Sequence, residues 1–261
     1  MRRRRGEALL FGHLGLVYLF LYGPILVLVV LSFNRAGLPT AWTGFSFRWY
    51  EALAGNESIH RAVVNTLIVA TTSTGIATAI GTLLAIGVER GRSGPALDAI
   101  LFAPMIIPDI VLAIALLSFY SMLKMTLGLH SIVLSHVVFN IAFVAAVVRT
   151  RLKHFDWSVV EVSADLGASA FTTFRLITLP LIFPGVLAAA LLAFTLSVDE
   201  FIIAYFTSGA GPSSTTFPMR VYSMIRFGVT PEINAVATIV MAVSFTLVLA
   251  SQRLLRTREM V

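Results

Sequence analysis

The chain has 261 residues, 57% of them hydrophobic and 12% charged, with a mean hydropathy of +0.90. A soluble domain carries about 25% charged residues, so this composition cannot coat a water-facing surface, and lipid must be the solvent for most of the molecule. Cys is 0, which excludes a disulfide-stapled fold, and the net charge of +6 is assigned to Lys and Arg flanking membrane spans rather than to nucleic-acid binding.

A helical span needs about 20 mostly apolar residues. Six such segments are predicted in chain order, at 9–33, 63–88, 99–122, 131–148, 181–206 and 235–254. The first follows Arg2 to Arg5; its apolar stretch exceeds an h-region of about 7–15 residues and no A-x-A site follows, so it is read as an uncleaved span. The second carries Ser73, Ala77, Gly81 and Ala85 at intervals of four, and the fifth carries Ala189, Ala193 and Ser197. Close backbone approach drives helix association in lipid, so both stripes are expected to face other helices. The third span holds Pro104, Pro108 and Asp109, and the fourth is short. The longest connections are 34–62, 149–180 and 207–234, and no segment reads as a soluble domain. The expectation is an all-α membrane protein with one transmembrane domain, 1–261.

Orientation follows from the cations. Both termini inside places 13 of the 19 Lys and Arg in the cytoplasm: Arg2 to Arg5, Arg90, Arg92, Arg149, Arg151, Lys153, Arg175, Arg253, Arg256 and Arg258. Arg35, Arg48, Arg61, Lys124, Arg220 and Arg226 remain outside. That bias predicts cytoplasmic ends.

Several chemistries lack their residues. His13, His60, His130, His136 and His154 form no pair at i, i+4, and without Cys a zinc site has no ligand set. G-x-S-x-G is absent, since Gly167-Ala168-Ser169-Ala170 runs into Phe171. Neither Lys124 nor Lys153 follows a glycine, so there is no P-loop. No cofactor, metal or catalytic residue is expected. Uphill transport would draw on an ion gradient or on another polypeptide.

The connection between spans four and five has its own design. Ser158 with Glu161 spells a capping box, and Gly167 suits the left-handed residue that ends a helix. Ser169 can cap a second short helix that ends before Pro180. The predicted result is a helix–turn–helix with an apolar side of Val160, Leu166, Phe171 and Phe174.

Glu161, Gly167, Ile177, Leu179 and Pro180, with Asp165, Leu166, Ala168 and Ser169 between, resemble the EAA loop of type-1 permeases of bacterial ABC importers. The chain departs at the two alanines of that motif, where Val162 and Ser163 stand. The resemblance spans roughly 14–254. Pro104 to Ile110, Leu196 to Phe201 and Phe217 to Ala235 are similar to the polyamine branch, the C-type membrane subunits of spermidine/putrescine importers. The resemblance implies a type-1 (MetI-like) permease fold with its core at 60–254, in the bacterial inner membrane. It also implies a coupling loop at 157–180 that docks on an ATPase through Glu161, Asp165 to Ser169, Phe171, Ile177, Leu179 and Pro180. Implied partners are a second homologous permease subunit, two ATP-binding subunits and a periplasmic or lipid-anchored substrate-binding protein, with no nucleic acid.

Asp109 near the middle of span three, and Asp199 and Glu200 in span five, are candidates for the translocation path. An Asp at a helix centre costs about 2.5–3.5 kcal/mol in lipid, so such groups face protein or water. Neighbours in a regular helix point about 100° apart, so one of Asp199 and Glu200 is expected to line the path while the other bonds a neighbouring helix. Two alternatives stand beside the polyamine reading: the same machinery importing another small solute, and an ion-coupled secondary transporter, which would need inverted repeats.

Overall fold

In lipid every backbone N–H and C=O must find its partner within the segment, so uninterrupted apolar runs fold as helices. The computed structural model describes residues 2–37, 42–91, 94–226 and 231–258, with side chains for 10–37, 42–91, 94–226 and 231–246. Arg92, Gly228 and the side chains of Arg2 to Arg5, Arg253, Arg256 and Arg258 lie outside the described residues. Among the described residues Leu10–Ser32, Glu57–Arg90, Leu129–Leu152 and Ala170–Asp199 are long and apolar enough to cross a membrane.

The chain divides into two units, 58–220 and the remainder, 1–57 with 221–261. In the latter, α1 (Arg2–Ser32) packs on α12 (Pro231–Arg258), which also meets α2 (Arg48–Ala54). Helix α12 contains the predicted sixth segment, and α11 (Phe217–Arg226) precedes it in the chain. Beyond α1, Asn34 organises the turn: its side-chain oxygen accepts from Thr43 N at 2.9 Å, and its carbonyl accepts from the Trp49 indole at 2.7 Å.

The larger unit is built on α6 (Leu129–Leu152), which packs against α9 (Leu179–Asp199). Val144, Ala145, Val148 and Leu152 of α6 share a core with Ile182, Ala189 and Ala193 of α9 and with Ala85 of α3 (Glu57–Arg90). Both predicted small-residue stripes are buried. Their size matters: a Cβ on Gly81 would stand 2.8 Å from the Val144 side chain, so α3 and α6 meet nearly backbone to backbone.

Two of the predicted spans are not single helices. The third is α4 (Pro95–Ile106) and α5 (Asp109–Met122), bent by 106° at the break. Pro108 excludes its predecessor from the helical region, and Ile107 is extended at φ −70°, ψ 135°. Pro104 is held inside α4. The fifth segment stops at Asp199, passes through extended Glu200 (φ −68°, ψ 118°) and resumes as α10 (Ile202–Thr207), which packs on α5 and α6. Asp199 and Glu200 therefore do not share a regular helix.

Candidate functional site

Between α6 and α9 the chain forms a tight hairpin. Helix α7 (Ser158–Asp165) starts at N-cap Trp157, so the capping box expected of Ser158 and Glu161 does not form. Asp156 supplies the acceptor instead, taking the Ser158 amide at 3.0 Å. Bonds from the Ser158 hydroxyl and amide hold the exposed Asp156 carboxyl below the usual carboxylate range.

The turn follows the glycine. Gly167 sits at φ +81°, with its N–H donating to Ala164 O at 2.9 Å and that of Ala168 to Ser163 O at 3.1 Å. These are the two bonds of a Schellman motif, which satisfy the last carbonyls of α7. Ser169 caps α8 (Ala170–Thr173), as its sequence position predicts, by accepting from Thr172 N at 3.2 Å. The hydroxyls of Ser163 and Thr173 close the hairpin at 2.8 Å, both residues being buried.

The second hairpin helix does not end before Pro180. It runs through a π-helical turn, Phe174–Thr178, straight into α9, with Pro180 in the first turn. Pro180 has no N–H to offer, and widening the preceding turn accommodates its ring. The hairpin is thus continuous with a span.

The expected apolar side is also divided. Val160 is buried and Phe174 half-buried, whereas Leu166 is 83% and Phe171 71% exposed at the tip. Glu161, Val162, Asp165, Ser169 and Arg175 are exposed around them; Ala168, Ile177 and Leu179 are half-buried. Large apolar side chains rimmed by charge mark a contact surface.

The hairpin root carries a charge cluster that the sequence marks only as orientation signals. Arg149 Nη1 bonds Asp98 at 2.9 Å and its Nε bonds Glu89 at 3.2 Å, with the guanidinium over the Phe102 ring. One side chain thus joins the ends of α3, α4 and α6. Arg90 lies over Trp157, which packs with Phe155 on the core, and Glu89, Arg90, Trp157 and Glu161 line a cavity of about 300 Å³. The available signal was the position of Arg149 in the last turn of an apolar helix, where a charge needs a partner.

The second place is the pair of breaks. Asp109 is the first residue of α5 and half-buried. Glu200 Oε1 accepts from Ile203 N at 2.7 Å and so caps α10, while Asp199 is exposed. Asp109 and Asp199 are the charged neighbours of Glu200, so three carboxylates separated by some ninety residues in sequence share one neighbourhood. The bonding partner of Glu200 is the next short helix of its own strand of chain, not a separate span.

Apolar helices, two of them broken beside carboxylates, and an exposed hairpin rooted between spans define a membrane transport subunit. Residues 77–260 match the family described as binding-protein-dependent transport system inner membrane component, and the chain belongs to it. It is therefore a permease subunit of the inner membrane and not an enzyme. It is 41% identical over 255 residues to the spermidine/putrescine transport system permease protein PotC of Escherichia coli (strain K12), covering 97% of this chain and 96% of that protein. It is 40% identical over 235 residues to the putrescine transport system permease protein PotI of the same organism, covering 86% and 82%. Its fold matches a chain of a bacterial ABC transporter involved in the import of the acidic polysaccharide alginate, with TM-score 0.76, 18% identity and coverage of 98% and 96%. The fold is that of type-1 permeases, as the EAA-loop resemblance implies.

Proposed function

We propose that this chain forms half of the translocation pathway of an ATP-driven importer of polyamines. Its six spans, both termini cytoplasmic, make one transmembrane domain with a core at 60–254. The hairpin 157–180 docks on an ATP-binding subunit. The observation that carries this reading is the tip: Leu166 and Phe171 are held out on a bonded turn at the cation-rich end of the bundle, where they meet water rather than lipid and call for a covering partner. Glu161, Asp165, Gly167, Ala168 and Ser169 shape or border that tip, and Ile177, Leu179 and Pro180 join it to α9.

The remaining machinery is a second homologous permease subunit, two ATP-binding subunits and a periplasmic or lipid-anchored binding protein. The polyamine assignment is supported by the relatives of about 40% identity, which transport spermidine and putrescine by name. Asp109, Asp199 and Glu200 suit a cationic amine, because opposite charge offsets part of the desolvation of an ammonium group in the membrane.

The deciding experiment is uptake of labelled spermidine and putrescine into vesicles holding the chain with its partner subunits. Uptake that depends on ATP and the binding protein is expected. Uptake driven by an ion gradient without ATP refutes the importer reading, and ATP-driven uptake of neither amine refutes the substrate. Reporters after Arg258 and near Gly211 should read cytoplasmic and periplasmic respectively; a periplasmic C-terminus contradicts six spans.

A further inference from the structure

Interior positions of a membrane helix are normally apolar, yet α6 carries His136 and Asn140 one turn apart, at 1% and 0% exposure. His136 Nδ1 lies 2.6 Å from Ser197 Oγ of α9, which lies 3.1 Å from Ser73 Oγ of α3. Three helices meet at that polar contact. Their register is pinned elsewhere: Gly81 of α3 abuts Val144 of α6, and Gly185 of α9 abuts Arg151 of α6. One helical turn from the contact, the step from Ser73 to Ala77, from Ser197 to Ala193 and from His136 to Asn140 places the amide opposite two fully buried alanines.

The Asn140 side chain has an acceptor oxygen and two N–H donors. Neither Oδ1 nor Nδ2 has a partner among the described residues, and His136 Nε2, one turn away, has none either. Leaving such groups buried and unbonded is costly, because each loses its hydrogen bonds to water and gains none in return. Ordered water is the usual remedy for buried polar groups that the protein does not satisfy. The chemistry here selects it. An occupant must donate to Oδ1 and accept from Nδ2; a cation serves only the oxygen, an anion only the nitrogen. Because Asn140 is buried within this one chain, no partner subunit reaches the amide.

We infer that the junction of α3, α6 and α9 holds an internal water site anchored on the Asn140 amide, with His136 Nε2 as a second anchor. The site stands apart from the carboxylates at the helix breaks and from the hairpin. It hydrates two buried polar groups of α6 at a level where the facing positions of α3 and α9 are alanines.

The test is a water-resolving density map of the assembled transporter in lipid nanodiscs, for the wild type and for Asn140→Leu. The wild type is expected to show at least one solvent peak within hydrogen-bonding distance of the amide, lost in the variant. A wild-type map in which the amide bonds only protein groups, or has no peak beside it, overturns the inference, whether or not the variant assembles. A peak that persists unchanged in Asn140→Leu overturns the assignment of Asn140 as the anchor.

Discussion

The hairpin and the pair of helix breaks differ in what holds them in shape. The hairpin is local: Asp156, Gly167 and Ser169 each bond within a few residues, and one hydroxyl pair, Ser163 with Thr173, closes it. The breaks are made locally by Pro108 and by the cap on Ile203, but their meaning is tertiary, because Asp109 reaches Glu200 only through the packing of α5 on α10. A locally determined element is rigid by itself and suits transmission of a push. An element assembled from two breaks changes when its helices shift, which suits a pathway.

The comparison is broken most directly at the turn. Gly167→Pro should leave the protein in the membrane and abolish ATP-dependent uptake, since proline is locked near φ −65° and the turn needs +81°. Gly167→Ala is a graded version: nothing lies within 4 Å of an added Cβ, so its cost is the left-handed conformation alone, about 1–2 kcal/mol. Glu161→Lys should also abolish uptake. Membrane retention, ATPase stimulation and uptake are the measurements, and normal values in all three variants would remove the hairpin from coupling.

Next in size is Arg149, which joins the ends of α3, α4 and α6 beside the hairpin root. Arg149→Gln leaves Glu89 and Asp98 without their cation and is expected to cost about 1–3 kcal/mol. A lower thermal midpoint and fewer substrates moved per ATP should follow. Arg149→Lys should rescue only in part, because an ammonium lacks the fork that reaches two carboxylates. Full rescue by lysine would show that charge, not geometry, matters there.

The carboxylates should separate. Asp199→Asn removes an exposed charge and should weaken substrate half-saturation roughly fivefold, as about 1 kcal/mol of water-screened attraction at 4 Å is lost. Glu200→Gln keeps an acceptor for Ile203 N, so assembly should hold, while Glu200→Ala should cost about 1 kcal/mol of helix capping. Labelled-amine uptake beside co-purification of the ATP-binding subunits distinguishes the two effects. Normal uptake by both amide variants would make the carboxylates structural.

The smallest effect concerns pH at the hairpin root. The Asp156 carboxyl is depressed in the folded state, so its contribution is present above the unfolded value and is lost as pH falls through the lower, folded one. The protection of α7 amides, taken relative to their intrinsic exchange rate at each pH, should therefore drop as pH is lowered through that window. Asp156→Asn should abolish the pH step; a step of the same size in the variant would assign it to another group.

What the sequence determined by itself was whatever depends on solvent and on neighbours a few residues away. Composition dictates lipid as the solvent and helix as the only way to satisfy the backbone there. Gly167 and Ser169 mark the hairpin turn because their conformational preferences act within one turn of chain. The buried faces of Ser73, Ala77, Gly81 and Ala85, and of Ala189, Ala193 and Ser197, follow from helical periodicity alone.

The tertiary structure decided whatever depends on distant partners. At the start of α7 the difference is local: Asp156, two residues before Ser158, takes the Ser158 amide, and the capping-box pattern does not single it out. Glu200 leaves the helix with its oxygen on the Ile203 amide, and the packing of α10 on α5 then sets where that carboxylate lies. Arg149, His136 and Asn140 look in sequence like isolated polar residues in apolar runs. Only the crossing of α3, α4, α6 and α9 supplies carboxylates to the first and a hydroxyl to the second. Asn140 receives no hydrogen-bond partner among the described residues, because helix register selects which side chains face one another without regard to their chemistry.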